Sequence, residues 1–110
     1  MIYMSLWRPT KNANPPTEKL MTQMNALIEE MTKAGVLLRT GGWDPTSPCT
    51  LLKNANGEVT VTDGPYTESK EVIAGFALFE VKSKQEAVAW GTRFLNIAGE
   101  GACEIRPLAQ

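Results

Sequence analysis

Asp63-Gly64-Pro65-Tyr66-Thr67-Glu68-Ser69-Lys70-Glu71-Val72-Ile73-Ala74-Gly75 runs directly into Phe76-Ala77-Leu78-Phe79-Glu80-Val81. The first part is a bend: glycine tolerates positive φ, while proline fixes its own φ and restricts the residue before it. Asp63, Glu68 and Lys70 set charges of both signs beside that bend, and Tyr66 adds a phenol. The second part is apolar at positions of both parities, as a strand covered on two faces requires. A central strand is expected there, and the other elements have to be arranged around it.

On its C-terminal side, Ser83-Lys84-Gln85-Glu86 fits a capping box, in which the serine and the glutamate satisfy each other's backbone N–H. The helix that follows is expected to bury Ala87, Val88, Trp90, Gly91, Phe94, Leu95 and Ala98. Gly91 marks a close approach to the sheet, because a glycine there costs about 1 kcal/mol of helix propensity. Gly99 ends the helix, and Ala102 to Arg106 is the last strand, with Cys103 and Ile105 on one side and Glu104 and Arg106 on the other.

On the N-terminal side, Cys49 to Lys53 and Glu58 to Thr62 flank Asn54-Ala55-Asn56-Gly57, where Asn-Gly supplies the positive φ angles of a hairpin. A protruding or edge hairpin is expected. Val36 to Arg39 is a short strand leading into Gly41-Gly42-Trp43-Asp44-Pro45. That glycine pair carries Trp43 to the rim of a sheet, as a binding residue or as edge packing. Thr17 is a plausible N-cap. Leu20, Met21, Met24, Leu27, Ile28, Met31 and Ala34 then form one helical stripe, ended by Gly35. Met1 to Arg8 alternates. Ile2, Met4 and Leu6 are expected to face the helices, and Tyr3, Ser5 and Trp7 a cavity or interface.

The order strand, helix, strand, hairpin, strand, helix, strand predicts an α+β fold, a ferredoxin-like βαββαβ with an additional β-hairpin, in a single domain over residues 1–110. Both helices cover one side of the sheet. The other side would carry Tyr3, Ser5, Trp7, Phe76, Leu78, Glu80, Glu104 and Arg106, too apolar for water. A homodimer through facing sheets is therefore expected, with a cavity for a small organic ligand between them.

Composition narrows the partners. Over 110 residues the net charge is -1, which gives no basic stripe to hold nucleic acid or an anionic membrane. No apolar run approaches the roughly 20 residues of a membrane span and no signal pattern opens the chain, so a cytoplasmic protein is expected. Cys49 and Cys103 lack CxxC spacing and read as reduced thiols. There is no histidine, so the commonest general base and metal ligand are missing; no metal and no cofactor are expected. Acid–base work would fall to carboxylates, tyrosine, lysine or cysteine.

Asp63-Gly64-Pro65-Tyr66, then Thr67-Glu68-Ser69-Lys70-Glu71 and Gly75-Phe76, resembles the DGPF-type branch of the YCII-related family. The likeness extends through Lys33-Ala34-Gly35-Val36-Leu37, the helix start Lys82-Ser83-Lys84-Gln85-Glu86-Ala87 and the terminal Glu104-Ile105-Arg106-Pro107. The resemblance implies a dimeric α+β barrel in a family mostly of unassigned activity, with some lyase-like members. Some members carry a proposed His-Asp pair. This chain has no histidine to form one, and it has Tyr66 where phenylalanine is usual.

The candidate catalytic residues are Asp63, as a carboxylate base if desolvated, and Tyr66, as a donor to a substrate oxygen. An Asp before Gly-Pro equally serves by bonding its own turn. The candidate ligand-binding residues are Glu68, Lys70, Trp7, Trp43, Glu104 and Arg106. Arg106 suits a bidentate grip on a carboxylate or phenolate, and Glu104 with Arg106 equally suits ion pairs across a dimer axis. Two readings follow. One is a binder of a small organic molecule, with cofactor-free lyase or isomerase chemistry if it is an enzyme. The other is a non-enzymatic binding or regulatory module, which the resemblance to the DGPF-type branch ties to a transcription-regulatory system.

Overall fold

The computed structural model describes residues 1–10, 17–42, 49–63 and 73–109. In chain order the elements are β1 (Ile2–Pro9), α1 (Glu18–Lys33), β2 (Leu37–Gly42), β3 (Thr50–Ala55), β4 (Glu58–Asp63), β5 (Gly75–Glu80), α2 (Lys84–Ala98) and β6 (Gly101–Pro107). Four strands form an antiparallel sheet in the order β2-β5-β1-β6, and β3 with β4 forms a separate two-stranded hairpin. This is the expected ferredoxin-like order, with β5 in the interior. The hairpin stands exposed along both arms.

Local chemistry sets the ends of the elements. Thr17 Oγ1 accepts from Leu20 N at 3.1 Å and starts α1. The helix ends in a Schellman motif: Gly35 N donates to Thr32 O, and Val36 N reaches back to Met31 O at 3.0 Å. Met31 and Val36 are both buried, supplying the apolar contact that accompanies such an end. Ser83 Oγ accepts from Glu86 N at 3.1 Å, but Glu86 Oε2 accepts from Lys82 N, one residue before the cap. The box is thus half reciprocal. Asn56 and Gly57 both have positive φ, as a two-residue type I′ turn demands.

The core lies between the sheet and the two helices: Tyr3, Leu27, Met31, Val36, Phe79, Val81 and Ala87. This corrects the expected facing of β1. Tyr3 pairs with Phe79 in register and is 5% exposed, Ser5 is buried beside it, and Trp7 meets Phe94 of α2 edge to face at 5.3 Å. Tyr3, Ser5 and Trp7 therefore face the helices, and Ile2, Met4 and Leu6 face away. Both alternating sets are apolar enough to be buried, so size decides. An aromatic ring takes 150–250 Å² out of water, about 4–6 kcal/mol at ~25 cal/mol/Å², against about 1.5–3 for an aliphatic side chain.

The helix stripes are also narrower than the periodicity suggests. Met21 at 49% and Val88 at 45% exposure lie at the solvent edges of α1 and α2. Gly91 is buried where α2 crosses β6, and a Cβ there would come 2.8 Å from Ile105 Cδ1. The expected close approach is real.

Candidate functional site

Neither helix lies over the second face of the main sheet. Its composition follows from register, since side chains two apart share a face. Read across β2, β5, β1 and β6, one row is Arg39, Leu78, Met4, Arg106, and the next is Gly41, Phe76, Leu6, Glu104. Ile2 and Glu80 continue it at one end, Arg8 and Ala102 at the other. The central strip Met4, Leu6, Phe76 and Leu78 is half-buried, with charge confined mainly to its margins.

At the β1–β6 margin a single carboxylate holds two guanidiniums. Arg8 Nη1 donates to Glu104 Oε1 at 3.2 Å, and Arg106 Nε donates to Glu104 Oε2. The Arg8 and Glu104 side chains are 21% and 32% exposed, and that of Arg106 is 69% exposed. The hydrogen bond from Arg106 is the main reason that the Glu104 carboxyl lies below its ordinary pKa. Partial desolvation opposes this, and the charges of both arginines assist. The same contact raises Arg106. Glu104 is thus a fixed anion that positions its neighbours, with no proton to give near neutrality.

The other candidates divide clearly. Glu104 and Arg106 come together as their shared parity requires. Trp7 lies on the opposite side of the sheet, against Phe94, and is not part of this cluster. Asp63 ends β4 on the hairpin; it is exposed and accepts a 2.9 Å hydrogen bond from Thr50 Oγ1, which ties the two arms together. Tyr66, Glu68, Lys70 and Trp43 fall outside the described residues. Arg8 is the member of the cluster that sequence reasoning missed. Its parity with Leu6 was the available signal, hidden by assigning that parity to the helix side.

Two other surfaces hold less chemistry. An open groove of about 660 Å³ runs between the helices past Leu27, Ile97 and Arg93. Its charges are already engaged, Arg93 with Glu30 and Lys33 with Glu29, and Arg93 stacks over Trp90 at 5.1 Å. Under the sheet, Ser5 Oγ and Cys103 Sγ lie 2.6 Å apart, and both cysteines are free thiols. Among the described residues, no helix is long and apolar enough to cross a membrane.

The YCII-related domain profile matches residues 1–110. An uncharacterized protein of Rhizobium meliloti (strain 1021) is 33% identical over 93 residues, covering 84% of this chain and 75% of that protein. Among solved structures, the 5-chloro-2-hydroxyhydroquinone dehydrochlorinase of Burkholderia phenoliruptrix, in complex with 2,5-dihydroxybenzoquinone, is similar with a TM-score of 0.49. The two are 13% identical, and the likeness covers 99% of this chain and 94% of that one.

Proposed function

The chain belongs to the YCII-related domain family, and from that premise we propose that it is a cytoplasmic homodimer whose open sheet faces meet and hold a small organic molecule. The motif around Asp63-Gly64-Pro65-Tyr66 supports membership of the DGPF-type branch. One observation carries the reading: the face away from the helices presents a continuous apolar strip, Met4, Leu6, Phe76 and Leu78, with hydrogen-bonding groups at its margin. An apolar sheet face of this kind needs a cover. Two sheets stack about 10 Å apart. The Phe76 ring already lies over Gly41, so the room that spacing leaves for a flat molecule is on the β6 side, where Ala102 carries little side chain.

Asp63 fits a clasp better than a base. Its exposure and its hydrogen bond from Thr50 favour holding the hairpin closed, so binding is the proposed activity and no proton transfer is assigned to it. The same observation favours the non-enzymatic binding or regulatory module over lyase or isomerase chemistry with Asp63 as the base.

Light scattering tests the dimer. The wild-type chain is expected to be dimeric, and Leu78→Lys or Met4→Lys monomeric with the circular dichroism of the wild type. Both substituted side chains point away from the core, so folding should survive. A wild-type monomer, or a dimer indifferent to both lysines, refutes the facing-sheet reading.

A further inference from the structure

We propose that the molecule held on this face is an organic carboxylate, received by the guanidinium of Arg106 while its apolar body lies on Met4, Leu6 and Leu78. This rests on the open sheet being the ligand face. The way Glu104 is shared points to it, since one carboxylate gives one oxygen to each of two arginines. Arg106 thus receives a single oxygen where a guanidinium can take two. Among the described residues it is held through Nε alone, so its two terminal nitrogens remain available as donors. A guanidinium pinned at Nε keeps that pair in a fixed plane, the geometry that accepts both oxygens of a carboxylate.

The register supplies the rest. Arg106 sits in one row with Met4 and Leu78, so an anion on its terminal nitrogens has apolar surface directly beside it. A neutral ligand would gain little from the guanidinium charge, and a cation would be repelled by it. On a single exposed sheet the contact is screened by water and contributes little. A second sheet closing over it lowers the local dielectric and strengthens it.

The test titrates the full-length protein at low salt with benzoate, benzamide and benzamidine, following amide shifts by NMR, with light scattering on the same samples. Benzoate is expected to bind about tenfold tighter than benzamide, as a charge-assisted bidentate contact implies, with benzamidine weakest and shifts centred on Met4, Leu6 and Glu104. Arg106→Gln should erase the preference and leave the oligomeric state unchanged, while Arg106→Lys should keep only part of it. Equal binding of benzoate and benzamide, no binding of either, or a preference that survives Arg106→Gln overturns the proposal. So does an Arg106→Gln chain that falls to monomer, which would assign the guanidinium to a carboxylate of the second copy. A wild-type monomer that still prefers benzoate through Arg106 retires the inter-sheet reading and leaves this one standing.

Discussion

Gly101 lies beneath the indole of Trp7: a Cβ at residue 101 would sit 2.6 Å from Trp7 Cη2 and 2.5 Å from the carbonyl oxygen of Arg8. The start of β6 therefore closes against β1 without a side chain, and its φ of 156° is one that glycine adopts most easily. The same contact fixes the stretch of β1 that sends Trp7 to the helix side and Arg8 to the open side. Gly101→Ala is expected to lose at least about 2 kcal/mol, at the upper end for overpacking, because a backbone carbonyl cannot swing aside. Urea denaturation with an unchanged m-value checks it, and a loss below about 0.5 kcal/mol would mean that the strand ends re-space freely.

Gly91 makes the instructive contrast, since its neighbour is the terminal methyl of Ile105, only 2.8 Å from where an alanine Cβ would sit. Gly91→Ala gains about 1 kcal/mol of helix propensity and loses about 1–3 to overpacking. A small net destabilisation is expected. Ile105→Val removes the offending methyl, so alanine at 91 should be neutral or stabilising in that background. A double-mutant cycle in urea reads the coupling directly, and additivity would show that the two do not touch.

Helix caps give a third test. Ser83→Ala removes the acceptor for Glu86 N and should destabilise by about 1 kcal/mol, and Thr17→Ala by a similar amount at the other helix. Glu86→Gln keeps an acceptor for Lys82 N, so it should lose less than Glu86→Ala. Equal losses for the two Glu86 variants would reduce that contact to a side-chain propensity effect.

The Glu104 carboxyl, held down chiefly by its hydrogen bond from Arg106, has a folded pKa below its ordinary 4.5. A depressed carboxylate binds its proton more readily in the unfolded chain, so its stabilising effect is present above the unfolded pKa. That effect fades as pH falls through the lower folded value. Wild type and Glu104→Gln should therefore differ by a constant amount above about pH 5 and converge in acid. Denaturation midpoints measured from about pH 2 to 7 check this; parallel curves down to the acid limit would remove Glu104 as the titrating group.

The thiols should separate by exposure. Cys49 is exposed and Cys103 is partly covered, facing the buried Ser5 hydroxyl. A thiol reagent is expected to label Cys49 at once and Cys103 only slowly, and Cys103→Ala should lose about 1–3 kcal/mol by stranding that hydroxyl. Cys103→Ser should recover part of it, and simultaneous labelling would place Cys103 at the surface.

What the chain's order of residues settled alone was every element whose signal is local. The Asn56-Gly57 turn, the Thr17 and Ser83 caps, the glycine-led end at Gly35 and the doubly apolar run Phe76–Val81 each depend on neighbours within a few positions. The elements in that order leave few topologies, and the strand order β2-β5-β1-β6 is the one they imply. The parity of β6 was equally legible, because charge and grease alternate cleanly through Cys103, Glu104, Ile105 and Arg106. In β1 both parities are apolar, and period two carries no sign that says which set goes inside. Only packing decided it: Tyr3 against Phe79 and Trp7 against Phe94 bury more apolar area beneath the helices than Ile2, Met4 and Leu6 would. That choice delivered Arg8 to Glu104 from 96 positions away. A pairing so distant is written in no local pattern, since it exists only once β1 and β6 lie side by side.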